Sequence, residues 1–577
     1  MTRPGVLGSE NAVPHNNGEG RSRTGTKQAA THGRWTPIAD DETSPPEPPI
    51  DDGPELVGRQ VAHGAMWSAL NAAVLRVATF AVSLAVAHLV VPYDFGVFTV
   101  ALTVYTVAVT ITDIGVGAAL VREPTRSKEL APTVFTIAVC NGALLTLIML
   151  IFAPELATAL GAPSAAAPIR VLSLVVLLGG LTVVPGSLMN RDFMQRERFI
   201  IDVGNLVVGT AVMLVLIELG HPVMGLAISR VGAQVLTMVL MLIMAPERYL
   251  PGFSWAHAKP LLAFGLPLAG SQLLIVGIAN VDFIVVGHNM GAQQLGYYNL
   301  AFAISGWPVT IFTTILVSVT LPTLSRVRNS PTELTKHLRA GLSAVAAASF
   351  PVCALLSALA APLIDTVYGK RWHEAYTALI VLGIFGAARS VLTLFSDLTI
   401  ALGMTRRLLL IQLAWLAALT PAMIICVRLW GIVGAGVAHA IVIILVVTPA
   451  YIYTVRKSMS LGLRWVSEST VRPLVASVFA AAFGYGATQL VANEILQVLI
   501  GATVGLLVYL LLAGTWLIKV VATLRTMYWR QGAHPAGDEA DAGESLEDIA
   551  LVSTVESAME VREGPLLLSQ PPPPTLE

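Results

Sequence analysis

Charged side chains inside long apolar stretches are the residues of this 577-residue sequence whose types and placement could do chemistry. A charge at the centre of a bilayer costs at least ~2.5 kcal/mol on insertion scales, so each one demands a partner, a water-filled cavity or a function. Arg76 and Arg389 fall near the middle of two such stretches. Asp282, beside Asn280, and Arg230 fall toward one half of the membrane, where they could form a bridging ion pair, static or switching, or Asp282 could bind a proton or a sodium ion. Asp113 and Asp397 lie toward helix ends, where water lowers their cost, and Asp113 precedes Gly115 and Gly117, which reads as packing at a helix end. Asp397 could face a cavity, but eight residues separate it from Arg389, about 12 Å along a helix, too far for direct pairing. Gln272 and Trp307 could supply hydrogen bonding and stacking, with helix packing the plainer role.

Other chemistries lack their residues. His88 and His439 have no second ligand at metal spacing and read as packing histidines, and Cys140, Cys353 and Cys426 read as small buried hydrophobes. No glycine-rich phosphate loop, zinc motif or nucleophile elbow occurs, and the segments between apolar stretches are too short for a catalytic domain. The expectation is a non-enzyme without cofactor or bound metal. A net charge of −1 gives no basic face for nucleic acid.

The elements that hold these charges must be membrane helices. Hydrophobic residues make up 55% of the chain and charged ones 12%, at a mean hydropathy of +0.72, where a soluble domain carries about twice that charge. Apolar stretches place helices near 61–91, 96–120, 132–154, 168–190, 200–219, 223–244, 261–289, 296–321, 338–365, 376–402, 407–428, 432–455, 471–491 and 495–521. The fold class is all-α integral membrane with about fourteen crossings. Residues 1–58, with a run of prolines near 45–49, and residues 526–577, acidic and then proline-rich, read as disordered tails.

Lys and Arg resist translocation and mark cytoplasmic loops. They collect in alternate connections, among them Arg122 to Lys128, Arg191 to Arg198, Arg326 to Arg339, and Arg456 to Arg464. The intervening connections at 92–95, 155–167, 220–222, 290–295 and 492–494 have none, while Lys370, Arg371 and Arg428 are exceptions. An even number of crossings with both termini cytoplasmic fits this alternation, in a cytoplasmic-type (inner) cell membrane.

An internal repeat organises the helices. Asp94-Phe95-Gly96-Val97-Phe98 corresponds to Gln294-Leu295-Gly296-Tyr297-Tyr298, Met194-Gln195-Arg196 to Met404-Thr405-Arg406, and Gly225 to Gly434, at separations of 200, 210 and 209 residues. Two repeats with an even number of helices each are related by an axis along the membrane normal. The expected organisation is an N-lobe at 59–245, a C-lobe at 246–457, and two appended helices at 458–525.

Asn280-Val281-Asp282-Phe283-Ile284-Val285-Val286-Gly287, continuing to Leu295-Gly296-Tyr297-Tyr298-Asn299-Leu300-Ala301, resembles the seventh-to-eighth helix signature of oligosaccharide flippases. Those belong to the multidrug/oligosaccharidyl-lipid/polysaccharide exporter superfamily. Pro92-Tyr93-Asp94-Phe95-Gly96, Asp113-Ile114-Gly115 and Asn190-Arg191-Asp192-Phe193 are similar to its opening half, and the likeness spans about residues 59–525. The resemblance implies two six-helix lobes that open alternately to either side, with a polyprenyl-diphosphate-linked oligosaccharide as cargo for cell-surface polysaccharide synthesis. It then implies that Arg76 and Arg389, with Gln272, contribute to a diphosphate and sugar cavity, since phosphate stripped of water needs cationic donors. Asp282, Arg230 and Asp397 become candidates for gating or for H⁺ or Na⁺ coupling. Partners would be the lipid-linked glycan, membrane lipids, and glycosyltransferases or a polymerase of the same pathway. The alternatives are a cation-coupled multidrug or small-molecule exporter of the same superfamily, and a membrane glycan polymerase or ligase. The second would need a large outward loop with catalytic residues, and the longest, 155–167, has only Glu155 as an acid.

Overall fold

The computed structural model describes residues 54–112, 115–122, 127–245, 247, 249–326, 331–459 and 464–532. Most of both expected tails and Asp113 lie outside these residues. Among the described residues the secondary structure is helical throughout, as apolar segments in lipid must satisfy every backbone N–H and C=O internally. The first repeat forms α1 (Pro54–Leu89), α2 (Pro92–Thr112), α3 (Val116–Arg122), α4 (Ser127–Ala159), α5 (Ala166–Arg191), α6 (Gln195–Glu218) and α7 (Pro222–Met244). The second forms α8 (Trp255–Arg326), α9 (Pro331–Ala358), α10 (Ala360–Val367), α11 (Ala375–Ala401), α12 (Thr405–Val442) and α13 (Thr448–Met459), and α14 (Arg464–Thr488) and α15 (Glu494–Gly532) follow.

Eleven helical segments among the described residues are long and apolar enough to cross a membrane. Two of them, Trp255–Pro308 and Thr405–Arg456, have 54 and 52 residues, each more than twice the ~20 residues one crossing needs. The first breaks at Gly291 (φ 77°, ψ 178°) and the second at Trp430 and Gly431 (φ 59°). These are left-handed or extended conformations that glycine adopts without a Cβ clash, so a tight turn links two limbs without a loop. The crossing expected at 471–491 falls on α14 (Arg464–Thr488), which is not among the eleven.

Other boundaries moved. The expected helix at 96–120 ends at Thr112, and Gly115 (φ 66°) separates it from α3. The helix expected at 338–365 breaks at Leu359, leaving α10 as a separate helix of eight residues, about two turns. A five-residue π-helix, Ile443–Val447, interrupts the expected helix at 432–455. The last helix continues to Gly532, beyond the expected tail boundary at 525. Cys353 and Cys426 are buried as expected, whereas Cys140 is exposed, because its face of α4 turns outward.

One large buried cluster spans both repeats, including Val97, Phe98 and Ala101 of α2, Leu295, Tyr298 and Ile304 of α8, and Leu379, Leu382 and Phe385 of α11. In contrast, α14 and α15 expose Val478, Phe479, Phe483, Leu506, Leu507 and Leu511, the last 83% accessible. Apolar surface of that extent marks a face that meets lipid or another protein rather than water. These two helices meet through small residues: a Cβ on Gly484 would lie 2.8 Å from the Gly501 oxygen, and one on Gly505 2.9 Å from the Ala480 oxygen. Close backbone approach at small residues is how helices associate where lipid removes the hydrophobic drive. Tyr509 on α15 donates to the Ala347 oxygen of α9 at 2.9 Å, tying the appended pair to the second repeat.

Candidate functional site

Asp282 on the first limb of α8 is completely buried, and its surroundings explain how a carboxylate survives there. Its Oδ2 accepts the Tyr298 hydroxyl at 2.7 Å and lies 3.4 Å from His439 Nε2, while Oδ1 accepts the Phe283 amide at 2.9 Å. An unpaired buried charge costs many kcal/mol, whereas one ringed by donors is tolerated. The Gly291 turn brings Tyr298 back beside Asp282, and α12 supplies His439, itself 3% exposed. The imidazole lies 4.4 Å, centroid to centroid, from Phe385 and 6.5 Å from Phe302. Its Nδ1 is buried and has no hydrogen-bond partner among the described residues. A carboxylate, a phenol and an imidazole thus meet in a pocket enclosed by aromatic rings.

The other sequence-predicted residues do not converge on this cluster. Arg230 is exposed on α7 and is not among the partners of Asp282, so the bridging pair expected from sequence is replaced by Asp282–Tyr298–His439. Arg76 on α1, Gln272 on α8 and Arg389 on α11 are half-buried, and each makes polar or electrostatic contacts. Asp397 is 3% exposed and sits near Tyr451 of α13 rather than opening to a cavity. Trp307 packs edge-on against Phe80 of α1 at 4.7 Å. His439, read from sequence as a packing residue, takes the place expected of an ion-pair partner. Nothing local in the sequence could show this, because its carboxylate lies 157 positions away.

A second cluster escaped sequence reasoning altogether. Asn71 on α1 donates to Asp202 Oδ2 on α6 at 2.8 Å, Arg198 sits one turn before Asp202, and Trp67 packs on Phe199 at 5.4 Å. This patch is a lateral anchor for α1, of which only 12% of the Leu70–Leu89 span is buried.

The repeats meet at positions that the 200-residue offset makes equivalent. A methyl group on Gly96 would overlap the Ala292 carbonyl oxygen, and one on Gly296 would overlap the Pro92 carbonyl oxygen. One helical turn further, Asn299 donates to Thr99 Oγ1 at 2.7 Å. Thus Pro92, Gly96 and Thr99 of α2 face Ala292, Gly296 and Asn299 of α8 across a two-fold seam. Flanking it, Gly161 packs on Gly287, His288 Nδ1 donates to the Ala159 oxygen at 2.7 Å, and Trp372 Nε1 donates to the Ala87 oxygen at 2.8 Å. Trp372 has no exposed surface and fills the gap between Phe95 and Tyr297. The connections at 92–95, 155–167 and 290–295 around the seam carry no Lys or Arg, whereas the one that supplies Trp372 carries Lys370 and Arg371.

Comparison with known proteins places this arrangement. The family model described as "Polysaccharide biosynthesis protein" matches residues 85–377, half of the chain and both faces of the seam. The chain belongs to this polysaccharide biosynthesis family. Relatives similar to it include the lipopolysaccharide biosynthesis protein WzxC of Escherichia coli, 23% identical over 57% of this chain and 67% of that protein. The succinoglycan biosynthesis transport protein ExoT of Rhizobium meliloti is 25% identical over 59% of this chain and 68% of that protein. Among solved structures, the lipid II flippase MurJ in an inward closed conformation aligns with a TM-score of 0.64 at 16% identity, covering 78% of this chain and 99% of that one. An inward-facing multidrug transporter of the MATE family aligns at 0.54 and 16% identity, over 65% and 95%. These two likenesses establish the fold. As a family member the chain is a multi-pass membrane transporter and not an enzyme.

Proposed function

We propose that this protein moves a polyprenyl-diphosphate-linked oligosaccharide from the cytoplasmic to the outer leaflet of the cell membrane by alternating access, for cell-surface polysaccharide synthesis. The observation that carries this reading is the seam, where equivalent turns of two repeats touch backbone to backbone at one end. Such a contact is either made or broken, because close-packed helices are bistable rather than continuously deformable. The absence of Lys and Arg from the connections at 92–95, 155–167, 220–222 and 290–295 favours an outer position for the seam and cytoplasmic termini, with Lys370 and Arg371 beside Trp372 as the exception. The two repeats then act as N- and C-lobes that part and close at the seam.

The cargo carries charge and sugar hydroxyls, and Arg76, Arg389 and Gln272 are the side chains proposed to replace its lost hydration. Arg76→Ala and Arg389→Ala are each expected to lower export about tenfold at unchanged protein level, as for the loss of one charge-assisted bond worth ~1.5–3 kcal/mol. Wild-type export by both variants would remove the site. Coupling is proposed at Asp282, Tyr298 and His439. Tyr298 and Asn299 are neighbours, and one side chain enters the proton-holding cluster while the next enters the seam. A change of protonation at Asp282 is therefore felt one residue from the gate.

Depletion of the protein is expected to trap lipid-linked glycan in the inner leaflet, shown by its protection from an added membrane-impermeant glycosidase in whole cells. Unchanged surface polysaccharide with no trapped intermediate would overturn the assignment.

A further inference from the structure

A cavity of about 140 Å³ opens beside the seam and is not part of it, lined by Tyr93, Asp94, Val97, Ser164, Pro168 and Met224, with Ala167 and Val223. Pro92 and Gly96 face the second repeat, whereas Tyr93, Asp94 and Val97 turn the other way, toward the ends of α5 and α7. The pocket is thus built by three elements that all end at the basic-poor face. We propose that it is a saccharide subsite that takes one sugar ring of the translocated glycan as it leaves; this rests on the flippase reading above.

The chemistry of the lining carries the inference. Asp94 is half-buried in the first turn of α2, yet its carboxylate makes no hydrogen bond or ion pair among the described residues. A partly desolvated acceptor with open lone pairs is matched by vicinal hydroxyl donors, two of which a carboxylate can accept side by side. The Tyr93 hydroxyl lies 3.2 Å from Ser164 Oγ, which sets a second polar pair at the rim. Tyr93 leaves about half its surface exposed, giving a ring face for the C–H side of a pyranose. The rest of the wall is aliphatic. A sugar is itself polar at its rim and apolar on its faces, so both halves of the lining are used. The volume holds about five waters at ~30 Å³ each, the scale of a single ring and not of a chain.

A metal ion fits less well. One carboxylate and two hydroxyls fall short of the 6–8 oxygens that Ca²⁺ takes. No lysine or arginine lines the pocket, so an anionic group is not the ligand either. In the second repeat the position equivalent to Asp94 is Gln294, and that of Tyr93 is Gln293, which donates toward Tyr297 at 3.4 Å. The subsite belongs to the first repeat alone, which would give the exit a handed, one-sided path.

The full-length protein in lipid nanodiscs, probed by saturation-transfer NMR with methyl glycosides of glucose, galactose, mannose, rhamnose and N-acetylglucosamine, tests this. At least one glycoside should receive saturation. Asp94→Asn is expected to weaken that signal about tenfold, and Ala167→Trp, which fills the pocket from an exposed position, to abolish it. Both variants should retain the wild-type melting temperature. No transfer to any glycoside would overturn the subsite, as would transfer undiminished in both folded variants. Displacement of the glycoside by sodium chloride would also overturn it, in favour of a cation. None of these outcomes bears on leaflet trapping after depletion, so the subsite can fail while the flippase reading stands.

Discussion

Gly96→Ala is expected to lower glycan export about tenfold or more without unfolding the protein. The added methyl group meets the Ala292 carbonyl, part of the backbone and therefore unable to swing aside. Overpacking of this kind costs ~1–3 kcal/mol, which as a differential cost shifts a two-state equilibrium about 5- to 150-fold. The penalty falls only on the closed seam, so the lobes open and the cycle stalls. Gly296→Ala should behave alike, since the contact is reciprocal across the repeat axis. A disulfide between Thr99→Cys and Asn299→Cys reports the closed state directly, because the wild-type side chains are hydrogen-bonded at 2.7 Å. It should form readily in the otherwise unchanged protein, block export until reduced, and form poorly once Gly96→Ala is added. Equal cross-linking and export with and without that alanine would show that the seam does not gate.

Asp282→Asn is expected to lower export about a hundredfold and to remove its dependence on the proton gradient. The amide keeps the shape of the carboxylate and can still accept from Tyr298, but it cannot exchange a proton with His439. His439→Gln should share the lost gradient dependence. Tyr298→Phe is the contrasting variant, because it removes one donor and leaves the exchangeable pair, so gradient dependence persists at a reduced rate. A stability cost of ~1–3 kcal/mol accompanies the loss of a buried hydrogen-bond partner, and thermal unfolding separates that cost from the loss of coupling. Export by Asp282→Asn that still tracks an imposed pH difference would exclude this cluster as the coupling site.

Much of the architecture was legible in the sequence because lipid leaves a chain few choices. A stretch of apolar residues in a bilayer must become a helix. The repeat was legible too, since Gly96 and Gly296 keep their register to the residue. Breaks within helices were less so. The break at Leu359 comes three residues before Pro362 and the π-turn at 443–447 two before Pro449, so a proline marks each neighbourhood through its missing N–H but does not say which residue bends.

The functional side chains divide along the same line. That Asp282 is costly and needs a partner follows from its place in an apolar stretch, but the identity of the partner does not. Arg230 offered the opposite charge, yet it lies exposed on α7, and the turn at Gly291 with the approach of α12 delivers Tyr298 and His439 instead. Asn71 and Asp202 meet across two helices 131 positions apart. The sequence by itself determined a polytopic, repeated helical membrane protein with charges too expensive to be idle, because hydrophobicity and periodicity are local properties of the chain. Only the tertiary structure decided that the glycines equivalent in the repeat touch the facing backbone, and which buried polar groups meet, because contact across helices depends on how packed surfaces fit.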